Sequence, residues 1–268
     1  MAKGLWVHAS YMNHSCVPNT MRSFVGDMLI SRATRDIAAG EELFQQYVPV
    51  KPFVDVRNAI FSKSWGFECA CEYCSAESQR VGAQALERRK ELVIAIERTV
   101  GKRALAKGAR DSGGIVPESA MRAIDKLARQ LEGADLHDPA VYGGEADDAL
   151  LPRLTLIYAT NWLSDAHLAK KNWAKALRYT LKVVRNLGFR VPADDAAVLE
   201  GKWDPRDIYS RSGTAALMTI HVVTALRKMA EVYEALGQAE MARKCVEAAE
   251  FGYMLVTGFH NDLAMLNY

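Results

Sequence analysis

The sequence predicts an α+β protein, with a small irregular β-rich head carrying a metal-binding loop and a helical domain behind it. Two observations predict it. Residues 1–78 hold Pro18, Pro49 and Pro52, several glycine turn signals and short alternating runs, whereas from about residue 80 Ala, Leu, Glu, Lys and Arg, the strong helix formers, take over. Three of the five cysteines, Cys69, Cys71 and Cys74, also crowd into six positions near the end of the head.

In the head, residues 20–25 and 28–34 alternate as two strands, and Gly26-Asp27 between them is a hairpin turn pair. Gly40-Glu41-Glu42 then introduces a short apolar segment at 43–47. The head as a whole reads as small sheet rather than helix. Residues 79–150 form a helical linker region, interrupted by polar, glycine-containing loops at 108–114 and 131–148. Residues 151–268 form the tail domain, in which 189–209 reads as a connection without clear period.

Helical periodicity is plainest in the tail. Leu154, Tyr158, Trp162 and Ala166 make one apolar stripe, and Trp173, Leu177, Leu181 and Val184 the next; Leu226, Met229, Tyr233 and Leu236, then Met241, Cys245, Ala248 and Leu255, repeat the arrangement. The two predicted hairpins align at an offset of 66, which places His167 with Tyr233 and Lys171 with Gly237. This spacing resembles tetratricopeptide repeats, whose period is about 34 residues. The resemblance implies a helical surface that takes a peptide or protein partner; an ordinary helical bundle is the other reading.

Thirty-four Lys and Arg against thirty-two Asp and Glu leave a formal charge of +2, too little for a general electrostatic grip on nucleic acid. No run approaches the roughly 20 apolar residues that span a bilayer. Neither a nucleic-acid nor a membrane partner is expected. Five cysteines make a poor disulfide framework, so the thiols are expected to be reduced and the protein intracellular, in nucleus or cytoplasm. His8, His137, His167, His221 and His260 lack ligand-like spacing and read as structural or surface residues. Arg88-Arg89-Lys90 reads as a solvated helix face.

Structural zinc takes four ligands in a tetrahedron, and Cys69-x-Cys71-x-x-Cys74 supplies three. Cys16 is the candidate for the fourth, because Cys245 lies on an apolar helix stripe and reads as a buried core thiol. Such a metal pins the 69–74 loop onto the Cys16 segment.

The run Asn13-His14-Ser15-Cys16-Val17-Pro18-Asn19 resembles the Asn-His-Ser-Cys-x-Pro-Asn signature of SET-domain protein-lysine methyltransferases. The hairpin, Gly40-Glu41-Glu42-Leu43, Tyr47 and the three clustered cysteines follow in that family's order, and the helical tail is similar to that of SMYD-type and fungal SET/TPR proteins. The resemblance implies S-adenosylmethionine as cofactor and a lysine-bearing protein as substrate. It places Asn13 at the methionyl end of the cofactor and the His14 backbone at the adenine. Tyr11 and the post-SET aromatic Phe67 fall beside the same pocket, Tyr47 becomes the active-site tyrosine, and Cys16 joins Cys69, Cys71 and Cys74 on the post-SET zinc.

The likeness covers the C-terminal part of a SET domain, its post-SET segment and the tail. The family's Gly-x-Gly cofactor loop belongs upstream, and no Gly-x-Gly occurs in these 268 residues. Two expectations follow: a methyltransferase whose SET domain is entered part-way, or a non-catalytic, zinc-stabilised interaction protein that uses its helical surface.

Overall fold

The computed structural model describes residues 4–80, 82–104, 116–134, 151–192, 195–210 and 216–258. After one turn of helix, α1 (Val7–Ser10), the head lays down β1 (Asn13–His14), β2 (Thr20–Val25), β3 (Met28–Ala33) and β4 (Phe44–Gln45). β2 and β3 form the expected antiparallel hairpin, in register from Thr20 opposite Ala33 to Val25 opposite Met28. Gly26 takes φ +60° at the first central position of the turn, where a glycine meets no Cβ penalty. β1 pairs in parallel with β4, Asn13 opposite Phe44 and His14 opposite Gln45. The expected 43–47 segment is thus strand at only two residues, because the Tyr47 N–H turns to the His14 ring instead of continuing the ladder.

The head is more helical than its sequence texture implies. α2 (Val54–Trp65) and α3 (Glu72–Arg80) pack behind the strands, and α3 begins inside the cysteine run, so Cys74 stands on a helix. Val54, Arg57 and Phe61 are the buried positions of α2. Their i, i+3, i+7 spacing is helical, but the arginine in the middle breaks the apolar stripe that would have announced a helix.

Behind the head come α4 (Ala83–Ala104) and α5 (Glu118–Gly133), then the hairpins α6 (Leu154–Ala169) with α7 (Trp173–Asn186) and α10 (Ile220–Ala235) with α11 (Ala239–Thr257). The loop expected at 131–148 begins later than predicted, since α5 runs to Gly133. The remainder of that loop, the 108–114 loop, His137 and His260 lie outside the described residues. The connection at 189–209 is not featureless: it holds the short helices α8 (Asp195–Leu199) and α9 (Asp207–Ser210), whose Val198 and Ile208 are buried in the tail core. Cys245 is fully buried there, and burial pushes its thiol up to about 12, as suits a core residue.

The basic run Arg88-Arg89-Lys90 divides. Arg88 is exposed, Lys90 bridges Asp55 of α2 at 2.7 Å, and Arg89 is 1% exposed and bonded to Glu77 of α3. The expectation of a solvated face fails for Arg89, because the start of α4 is docked against the head. A second tie joins hairpin to tail: Arg32 donates to the Gly258 carbonyl at 3.3 Å, at the C-terminal end of α11 where a cation complements the helix dipole. No helix among the described residues is long and apolar enough to cross a membrane.

The 66-residue offset recurs in the helix starts, Leu154 with Ile220 and Trp173 with Ala239. It extends to the turns. Gly237 takes φ +74°, with Gly237 N–H on Glu234 O and Gln238 N–H on Tyr233 O; Lys171 takes φ +55°, with Lys171 N–H on Leu168 O and Asn172 N–H on His167 O. Lysine therefore adopts the left-handed turn that glycine adopts in the other hairpin, at a steric cost of roughly 1–2 kcal/mol, partly offset by the greater entropy a glycine loses on folding. Lys171→Gly is expected to stabilise the chain by about 0.5–1 kcal/mol, read as a higher urea midpoint with an unchanged m-value.

Candidate metal centre and adjoining pocket

Four sulfurs converge where β1 ends and α3 begins. Cys16, Cys69, Cys71 and Cys74 place their Sγ atoms within 4.8 Å of one another, with Cys16 3.6 Å from Cys74 and 4.0 Å from Cys69. Zinc bonded to four sulfurs at about 2.3 Å in a tetrahedron requires sulfur separations of about 3.8 Å, and the cluster straddles that value. Cys16 and Cys74 are fully buried, and Cys69 nearly so. The donor set is four thiols, three of them buried and Cys71 partly so, which suits structural zinc. Crowding makes the protons interdependent: hydrogen bonding with Cys69 holds the Cys16 proton on, while hydrogen bonding from Cys16 pulls the Cys71 thiol down to about 6. A dication resolves that competition by displacing the protons.

The surroundings of the sulfurs are built for them. The Tyr47 N–H donates to His14 Nδ1 at 3.2 Å, so the remaining ring proton sits on Nε2, which faces Cys16 Sγ at 3.5 Å. Arg57 Nε donates to Cys74 Sγ at 3.3 Å. The Cys69 N–H donates to Asn58 Oδ1 at 3.2 Å, which fixes the loop on α2. Neither Arg57, Asn58 nor the imidazole of His14 was singled out from sequence for this centre. An arginine on the inward face of a helix, three residues after Val54 and four before Phe61, is the one signal that pointed to it.

Beside the sulfurs lies a pocket of about 730 Å3, within the range of small-molecule sites. Asn13, His14, Tyr47 and Phe67 line it with Cys69 and Cys71, so four of the sequence-predicted pocket residues come together there. Gly66 ends α2 at φ +73°, a left-handed cap that turns Phe67 back over the site. Phe67 stacks on Phe61 at 5.3 Å and Tyr47 packs on Trp65 at 5.4 Å, giving the pocket an aromatic wall. The Tyr47 hydroxyl donates to the Met12 carbonyl at 3.0 Å. Tyr11 does not join them. It is 78% exposed and outside the pocket lining, because the turn at α1 points it to solvent.

Polar groups hold the opposite wall. Asn19, 2% exposed, accepts from the Phe44 N–H at 2.8 Å and donates to the Glu42 carbonyl at 2.8 Å and to Glu41 at 3.1 Å, so the last residue of the signature fastens the 41–44 segment. Glu42 accepts from Asn13 Nδ2 at 2.7 Å, which orients that amide and leaves Oδ1 as an acceptor. Arg35 pairs with Glu41, and that hydrogen bond is the main reason the carboxyl is held down at about 2 and stays ionised at neutral pH.

Residues 2–48 match the family model described as SET domain. Over this segment the chain is similar to SET-domain proteins. It is 40% identical over 96 residues to a protein of Gibberella zeae named methyltransferase, covering 35% of this chain and 13% of that protein. It is 31% identical over 123 residues to histone-lysine N-methyltransferase set5 of Schizosaccharomyces pombe, covering 45% of this chain and 35% of that protein. Human protein-lysine N-methyltransferase SMYD4 is 35% identical over 85 residues, covering 31% of this chain and 11% of that protein. The chain thus spans about a third or less of the length of these relatives.

The purified chain is expected to carry about one zinc per molecule. Cys16→Ala leaves the clustered trio intact yet removes the ligand that follows β1. Metal analysis after gel filtration in a mild chelator is expected to find zinc retained by the native chain and lost from this variant.

Proposed function

We propose that this site belongs to a protein-lysine methyltransferase that takes its methyl group from S-adenosylmethionine, with zinc at Cys16, Cys69, Cys71 and Cys74 in a structural role. The observation that carries the reading is the junction of Asn13, Tyr47 and Phe67 in one pocket, built on strands that the cysteine cluster fastens. When bound, the cofactor would supply an activated sulfonium methyl for a lysine nitrogen to take. Its relatives carry names that state this activity for them.

Such chemistry asks mainly for position and for a neutral amine. Lysine titrates near 10.4 in water, and an aromatic, poorly hydrated channel lowers that value by disfavouring the ammonium. Tyr47 and Phe67, both partly buried, supply such walls. Because the Tyr47 hydroxyl spends its proton on the Met12 carbonyl, its oxygen lone pairs are left to accept from the amine N–H groups and aim the nitrogen. In this reading Asn13, whose Nδ2 is taken by Glu42, uses its free Oδ1 to accept from the ammonium at the methionyl end of the cofactor. The substrate is a lysine-bearing protein, and the free thiols fit an intracellular setting, nucleus or cytoplasm.

A second reading rests on the repeated hairpins with matching turns, which are similar to tetratricopeptide geometry. In it the chain is a zinc-stabilised interaction module whose helical surface holds a peptide or protein.

Calorimetric titration of S-adenosylmethionine into the chain, alone and extended upstream by a Gly-x-Gly-bearing SET segment, separates the two. The methyltransferase reading expects binding by at least the extended chain and methyl transfer to lysine peptides that Tyr47→Phe slows about 10-fold to 100-fold, with cofactor affinity kept. A folded, zinc-loaded protein that binds no cofactor in either form contradicts it and leaves the interaction module.

A further inference from the structure

Three charged side chains lie out of water behind the cysteines. Arg57 of α2 and Arg89 of α4 are each 1% exposed, and Glu77 of α3 is fully buried. Glu77 divides its carboxylate between the two guanidiniums: Oε2 accepts from Arg57 Nη2 at 2.6 Å and Oε1 from Arg89 Nη1 at 3.0 Å. Burying ions is expensive, and apolar residues of the same size often stabilise a fold as well or better, so stability alone is a weak account of this arrangement.

The direction of the Arg57 fork supplies a better one. Its Nη1 donates to the Lys51 carbonyl at 2.8 Å, its plane covers the Tyr73 ring at 4.5 Å, and its Nε–H points to Cys74 Sγ at 3.3 Å. A continuous path therefore runs from Cys74 through Arg57 and Glu77 to Arg89, crossing from the metal cluster to α4. Besides the Lys51 carbonyl and a share of one carboxylate, Arg57 has the Cys74 sulfur as an acceptor for its Nε–H. A zinc tetrathiolate carries a formal charge of −2, and a buried guanidinium beside one of its sulfurs complements that charge.

We propose that Arg57 is a positioning residue for the four-cysteine centre, raising its metal affinity through the bond to Cys74, and that through Glu77 and Arg89 it makes the docking of α4 depend on the metal. The inference rests on the reading of the cluster as a zinc site and adds the residue that couples it to the helices behind. Donors to metal ligands typically change affinity 10-fold to 100-fold when removed, because the ligand's charge is left unshared. Loss of the metal withdraws the dianion from Arg57, and the start of α4 opens where Arg89 can reach water.

The test competes zinc from the native chain and from Arg57→Gln with a chromophoric chelator, records the thiolate-to-metal absorption of both after cobalt substitution, and follows amide exchange with and without zinc. Zinc affinity is expected to fall about 10-fold to 100-fold in Arg57→Gln, with a shifted cobalt band and partial recovery in Arg57→Lys. Exchange in residues 83–92 of the native chain is expected to rise on zinc removal, and this arm stands even where Arg57→Gln fails to fold. A native chain that takes up no zinc overturns the zinc reading and this inference together. Unchanged affinity and band in a folded Arg57→Gln, or exchange in α4 indifferent to zinc, overturns the inference alone.

Discussion

Convergence of four sulfurs from two chain segments is the constraint on which the head depends. Cys16 follows β1 and the other three bracket the start of α3, fifty-three residues downstream of it at Cys69. The two small sheets hold only two strands each and have little core of their own, too little to fix such a loop by burial alone. A metal bridging both segments would close the loop with a set of bonds worth on the order of 10 kcal/mol in small zinc peptides, comparable with the net stability of a whole domain. Such a bridge would hold β1 beside the 65–72 segment, and the pocket lies between them.

The groups around the sulfurs are also the walls of the pocket, so the sulfur cluster and the pocket are one unit. His14 faces Cys16 with one ring nitrogen and takes the Tyr47 N–H with the other, linking the position of the candidate active-site tyrosine to a ligand of the cluster. Phe61 packs on His14 and Phe67 together, which carries the same restraint to the aromatic wall. On the far side Asn19 and Glu42 tie the 41–44 segment to the signature strand. Arg57, Glu77 and Arg89 continue the framework into α4, while Arg32 ties the hairpin to the end of α11.

How much of this the sequence made legible follows from where periodicity and polarity agree. The hairpin was readable because alternation on both sides met a glycine turn, and the tail because its apolar stripes run unbroken. Helix α2 was not, since one of its three buried positions is Arg57, and α3 was not, since its fully buried residues include Glu77. A buried charge is invisible to an apolar pattern until its partner in another element is known, and the same reason hid Arg89 within a basic run. Cys16 was readable as a candidate by elimination. Tyr11 was misplaced because adjacency to a motif says nothing of which way a one-turn helix points the side chain.

Zinc-edge X-ray absorption of the purified chain tests the central claim most directly. The account predicts a coordination shell of four sulfurs at about 2.3 Å, with no nitrogen or oxygen neighbour. A shell of three sulfurs completed by a lighter atom would put Cys16 outside the centre, and a chain without zinc would remove the bridge altogether; either result contradicts a pocket held together by metal.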